Sequence, residues 1–221
     1  YAITPRFAGT SSPAQLSAAG ALWREHPDCL MQTHIAENKA EVAWIKELFP
    51  DRRGYLDVYD HHGLCGKRAV FGHGIWLEDG ELQRLHDTGA AIAHCPTSNF
   101  FLGSGAFDLS RALDPKRPVR VGLGTDIGAG TSFSILATLN EAYKASQLNG
   151  QALSAEHAYY LATRGSAAAM HLEDISAPEP NAGELRVRVL AAGLGLPDYM
   201  MCKDQYPGTP GLRPFTSGQE V

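Results

Sequence analysis

The chain reads as an α/β protein with a parallel sheet wrapped by helices, a portion of a (β/α)8 barrel. Three observations predict this. Short apolar runs alternate with helical segments about every 20 to 40 residues, the rhythm of βα units. The runs are solidly apolar rather than alternating, which suits strands buried on both faces. Four of them also end on a lone polar residue where the run breaks into a loop: His34 in LMQTHIAEN, His73 in AVFGHG, His94 in AAIAHCP and Asp126 in VRVGLGTD. Parallel barrels carry their chemistry at this address, the C-terminal tips of the strands.

The elements follow in order. Tyr1–Phe7 is the end of a strand running into a loop, and Ser12–Glu25 is a helix. Ser11 or Ser12 caps that helix, Pro13 suits its first turn, and Pro27 stops it. Cys29–Ile35 is a strand; Asn38–Phe49 is an amphipathic helix with Val42, Ile45, Leu48 and Phe49 on one face. A helix over Tyr55–His62 ends at Gly63, followed by strand Ala69–Gly72, helix Asp79–Thr88 and strand Ala90–Ala93. Cys95–Gly105 reads as a polar loop, Phe107–Leu113 as a short helix and Val119–Leu123 as a strand. Helices Phe133–Leu148 and Ala155–His171 close the run. That is four and a fraction of the eight barrel units, so two strand edges are left unpaired and favour self-association.

At about Asp174 the character changes. Pro178, Pro180, Asn181 and Gly183 resemble a linker, Glu184–Val189 alternates as an antiparallel strand would, and the tail is proline-rich. Two domains are expected, 1–174 and 175–221. The chain opens on Tyr1 rather than Met and contains no His-x-His pair, so it reads as a piece of something larger.

Composition narrows the class. Of 221 residues, 44% are hydrophobic and 19% charged, ordinary for a globular protein with a core. A net charge of −5 argues against a nucleic-acid partner. No apolar run is long enough for a membrane span. Cys29, Cys65, Cys95 and Cys202 are widely spaced without C-x-x-C, which fits a reducing cytoplasm rather than a disulfide framework or zinc knot.

Each candidate site residue has a bland alternative. The His34 imidazole can ligate zinc, and Glu37 beside it can shuttle protons between a water and a substrate. Equally, His34 can be a hydrogen-bonded strand end and Glu37 a helix-dipole partner. His73 lies between Gly72 and Gly74, where backbone approaches a ligand closely or simply turns. Asp126 buries a charge that a metal and its water would satisfy, or it caps the segment after Gly130. The run GLGTDIGAG at Gly122–Gly130 superficially resembles a dinucleotide-binding turn. An acid inside the turn and two following helices count against that. Arg6 and Phe7 suit a planar heterocycle bearing a carbonyl, or a surface Arg beside a core Phe. His94, Ser98 and Asn99 are expected to reach over the same rim. His26, His61, His62, His86, His157 and His171 read as solvated, and Trp44 and Trp76 as packing.

TPRFA, QTHIAEN, FGHG, AHCPTSN and GLGTDIGAG, together with NEAYKASQLNG, resemble the guanine deaminases of the amidohydrolase superfamily across Tyr1–Asp174. The resemblance implies strands 4 to 8 of a metal-dependent (β/α)8 hydrolase barrel and zinc-dependent hydrolysis of the purine guanine to xanthine and ammonia. It implies metal ligation by His34 and Asp126, a proton shuttle at Glu37, and water orientation by His73 with Asp126 as proton acceptor. It further implies a purine site at Arg6, Phe7 and His73. The family's first-strand His-x-His is missing, so weak activity is expected. Ile175–Val221 is similar to the N-terminal, GroES-like segment of a quinone-oxidoreductase-type medium-chain dehydrogenase, with Gln219 where zinc-binding relatives carry His. That makes a fragment of an NADPH-dependent oxidoreductase one alternative, and a non-catalytic scaffold another.

Overall fold

A computed structural model describes residues 1–171. The expected 174/175 boundary, the dehydrogenase-like tail and Gln219 lie outside the described residues.

Five strands form one sheet: β1 (Ala2–Ile3), β2 (Leu30–Ile35), β3 (Ala69–His73), β4 (Ala91–His94) and β5 (Arg120–Leu123). All four pairings are parallel, and the order in space is the order in sequence. Each crossover therefore adds its strand on the same side of the last one. A dinucleotide-binding sheet reverses its order at a switch point; none exists among the described strands, and that rival for the glycine-rich turn falls.

The helices are α1 (Pro13–Glu25), α2 (Lys39–Leu48), α3 (Tyr55–His61), α4 (Asp79–Thr88), α5 (Pro96–Phe101), α6 (Leu109–Ala112), α7 (Ile135–Leu148), α8 (Ala155–Tyr160) and α9 (Ser166–Ala169). Their starts are written in short polar side chains. Ser12, Ser134 and Ser154 each accept a bond from a backbone N–H in the first turn. Asn38 and Glu41 form a reciprocal capping box at the start of α2, as Glu78 and Glu81 do at α4. Gly89 ends α4 in the left-handed region, at φ 70°.

Register defines the two faces of the sheet. Met31, Thr33 and Ile35 pair with Ala69, Phe71 and His73, and all six are buried. This face packs on the helices: the Thr33 hydroxyl lies 3.2 Å from Tyr59 Oη of α3. On the other face His34, Gly72, Ala93 and Gly122 stand in register, and Gln32 is exposed. Burial on both faces, expected from the apolar runs, therefore does not hold for β2, where Gln32 is exposed among the described residues.

Two elements differ from expectation. The polar stretch after His94 is not a loop: Pro96 opens α5, and Pro96–Asn99 are buried. The final helix is not continuous, because Leu161–Gly165 forms a π-helical turn between α8 and α9. Ser166 explains the break. Its hydroxyl donates to Leu161 O at 2.7 Å and accepts Leu123 N–H at 3.0 Å. Gly124 N–H bonds back to β4, so Leu123 N–H faces the free edge of β5, where Ser166 satisfies it. On α2, Leu48 is exposed rather than part of the apolar face. Among the described residues, no helix is long and apolar enough to cross a membrane.

Candidate metal centre

Donor atoms of His34, His73 and Asp126 lie within 4.8 Å of one another at the C-terminal mouth of the sheet. His34 reaches it from the open face of β2. Its Nδ1 is 2.8 Å from the carbonyl oxygen of Arg6, which can only accept, so Nδ1 carries the proton. Nε2 is then left with its lone pair. His73 Nδ1 likewise bonds Asn99 Oδ1 at 2.8 Å, deep in the protein. Its Nε2 lies 3.9 Å from both Glu37 Oε2 and Asp126 Oδ2.

Backbone strain does part of the aiming. Alternation places His73 with its register partner Ile35 on the helix-covered face. A φ of 69° at His73 breaks the alternation and turns the ring toward the mouth. Ala36 and Asp126, both at φ 47°, lie in the same uncommon region. Non-glycine residues in that region concentrate at functional sites.

Tyr59 ties the loop after β1 to the tip of β2. Its hydroxyl donates to His34 O at 2.8 Å and accepts Ala8 N–H at 2.9 Å. Burial pushes this phenol up to about 12, so it stays a donor. The helix-dipole role weighed for Glu37 belongs to Glu41, which accepts from Glu37 N–H at 2.9 Å and from Asn38 N–H at 3.3 Å. Glu37 is free for other work: its Oε1 accepts from Ser104 Oγ at 3.0 Å, and its Oε2 faces His73.

The residues fit a divalent metal. Two imidazoles present lone pairs, two carboxylates converge beside them, and among the described residues neither carboxylate has a Lys or Arg partner. An N and O donor set of this kind suits zinc. A cleft of about 660 Å³ opens over the group, lined by Arg6, Phe7, Glu37, Trp44, Leu102 and Ala129 among others. That is room for a small heterocycle.

His94 and Ser98 are corrections. Neither reaches over the rim. His94 follows Ala93 of the open face, has no left-handed turn to re-aim it, and its ring centroid lies 4.9 Å from that of Phe107. Burial, helped by His73, pushes it down to about 3, so it is neutral. Among the described residues Ser98 is buried without a hydrogen-bond partner, and Asn99 acts behind His73 rather than above it. Trp44 is not core packing but 42% exposed on the cleft. The sequence reading also missed Tyr59, Glu41 and Ser104. Only Glu41 had a signal, the N-x-x-E spacing from Asn38.

Fold and site together define a class, a parallel α/β protein with a metal-capable mouth at its strand tips. The chain belongs to the amidohydrolase family, whose model matches residues 1–180. It is 57% identical over 175 residues to guanine deaminase of Escherichia coli, covering 79% of this chain and 39% of that protein. A probable guanine deaminase of Deinococcus radiodurans is 44% identical over 176 residues, covering 78% and 40%. The E. coli guanine deaminase structure superposes with a TM-score of 0.76 at 56% identity, over 78% of this chain and 40% of that one. Guanine deaminase from C. acetobutylicum with bound guanine in the active site gives 0.71 at 31%, over 75% and 41%. An adenosine deaminase from Xanthomonas campestris with bound zinc gives 0.68 at 26%, over 76% and 38%. The chain thus spans about two fifths of the length of the curated relatives it matches.

Proposed function

We propose that the site serves zinc-dependent hydrolytic deamination of guanine to xanthine and ammonia, on a sheet that is strands 4 to 8 of a (β/α)8 barrel occupying residues 1–174. The observation that carries it is the convergence of His34, His73 and Asp126 donors beside Glu37, whose Oε2 faces His73. Similarity to guanine deaminases supports the substrate.

His34 and Asp126 would hold the metal, with His73 Nε2 facing the same point. A bound zinc supplies Lewis acidity that makes a water nucleophilic near neutral pH. Asp126 would take one proton from the attacking water, and His73 Nε2 would orient that water toward C2 of the purine. Glu37, beside both, would carry the water's other proton to the ring nitrogen, and Asp126 would pass the proton it took to the departing amine as the exocyclic C2–N bond breaks and ammonia leaves. Arg6 donates to the purine carbonyl, and Phe7 packs on the ring.

Two metal-holding residues, with His73 facing the same point, hold zinc less firmly than the usual three or four protein ligands. Without a His-x-His pair, this chain should turn over well below roughly 1 per second. The test is ammonia release from guanine by the purified chain with added zinc, alongside bound zinc after dialysis. Glu37→Gln should retain zinc and lose any turnover, whereas Asp126→Asn should lose both. Zinc retention that ignores Asp126→Asn would overturn the site.

A further inference from the structure

Beyond the residues that hold metal and move protons, we infer that Trp44 is a specificity-determining residue of the cleft, the aromatic wall on which a planar heterocycle stacks. The inference rests on the purine reading above.

Trp44 stands in the second turn of α2, the helix that Glu37 precedes, and lines the same cleft as Arg6, Phe7, His34 and Glu37. A lone exposed apolar side chain needs no explanation, but this one is held in place. Its ring is 6.0 Å from that of Phe7, tilted by 59°. Behind both rings runs the backbone of Gly9. A Cβ there would lie 2.5 Å from Trp44 Cζ3, 2.9 Å from its Cη2 and 2.7 Å from Phe7 Cε2. Only glycine lets the chain come so close to two aromatics. The turn carrying Gly9 is itself anchored, since Ala8 N–H bonds buried Tyr59.

Trp44 is therefore pinned on the protein side and 42% open on the other. A ring fixed before the ligand arrives loses little freedom on binding. Its π-face accepts any flat heteroaromatic, while Arg6 selects those with a carbonyl within reach. Trp44 and Phe7 would set affinity for the ring, and the residues at the mouth its chemistry.

The test uses the full chain with zinc and hypoxanthine as probe, which keeps the purine ring and carbonyl but has no amine to lose. Binding is titrated by ligand-observed saturation-transfer NMR, with thermal melting as the folding control. Trp44→Phe should bind within about threefold of the unaltered chain. Trp44→Ala should weaken binding about tenfold to a hundredfold, the worth of one stacked base. Gly9→Ala, which pushes the ring away without removing it, should also weaken binding, and in the unaltered chain the proton resonances of the Trp44 ring should shift as ligand is added. Equal binding by Trp44→Ala and the unaltered chain would overturn the inference while leaving the purine reading intact. Failure of the unaltered chain to bind hypoxanthine would overturn the purine reading, and this inference with it.

Discussion

Replacing Asn99 with Leu removes the group that fixes the protonation pattern of His73. The bond lost is 2.8 Å long and lies between two fully buried side chains. Two outcomes compete once it is gone. His73 can keep its proton on Nδ1 as an unpaired buried donor, at about 1–3 kcal/mol. It can also move the proton to Nε2, which takes away the lone pair facing Glu37 and Asp126. Either way the His73 nitrogen that faces the metal site is lost or misaimed, and losing such an orienting partner typically lowers metal affinity about 10- to 100-fold. Asn99→Asp keeps an acceptor at the same place and should restore most of the affinity. Zinc affinity is read by competition with a chelating dye, stability by urea unfolding, and the proton's position by ¹⁵N shifts of the His73 ring. If Asn99→Leu binds zinc within twofold of the unaltered chain and Nδ1 remains protonated, the reasoning about tautomer control is wrong.

Acid should destabilise the fold through His94. Its folded value near 3 lies below the unfolded 6.5, so the unfolded chain binds the extra proton between them. Stability is fully present above about 6.5 and falls as the pH drops, by about 2 kcal/mol between pH 7.5 and 5. Urea unfolding at both values should show this loss, and His94→Phe should show much less of it; an equal loss in the variant would refute the assignment. Glu41→Ala should cost about 2–3 kcal/mol, because the carboxylate accepts from Glu37 N–H, Asn38 N–H and, at 2.6 Å, Tyr55 Oη. A change below 0.5 kcal/mol in chemical denaturation would contradict that account. Gly130→Ala should cost zinc affinity while sparing the sheet, since its Cβ would fall 1.8 Å from Thr125 O and 2.9 Å from Asp126 O. Unchanged zinc affinity with native circular dichroism would refute it.

Much of this was legible because parallel sheets advertise their strand tips. His34, His73 and Asp126 could be picked out as lone polar residues ending apolar runs, and all three meet. His94 satisfied the same rule and does not join them. The rule reads position along the strand, whereas convergence also depends on which face the side chain leaves. Period-two alternation puts both His73 and His94 on the covered face, and only His73 has the left-handed φ that reverses it. No sequence pattern announced that turn beyond the glycines flanking His73. The α5 error had another cause: Pro96, Thr97, Ser98 and Asn99 read as loop chemistry, although proline equally suits a first helical turn. Trp44 was misassigned because an aromatic on an amphipathic helix says nothing of where that helix meets a cleft. Tyr59 could not have been found, since its bonds to Ala8 and His34 join segments far apart in sequence.

The left-handed backbone at Ala36, His73 and Asp126 has a consequence for anyone who would improve this protein. The backbone at each would be more comfortable as glycine, and at Asp126, whose side chain is partly exposed, little packing is lost in exchange, so a screen that rewards heat tolerance alone will be drawn there. Such a library would collect sturdier variants by erasing a carboxylate from the mouth of the sheet. Tolerance of heat and retention of metal should therefore be selected together, with those three codons held fixed.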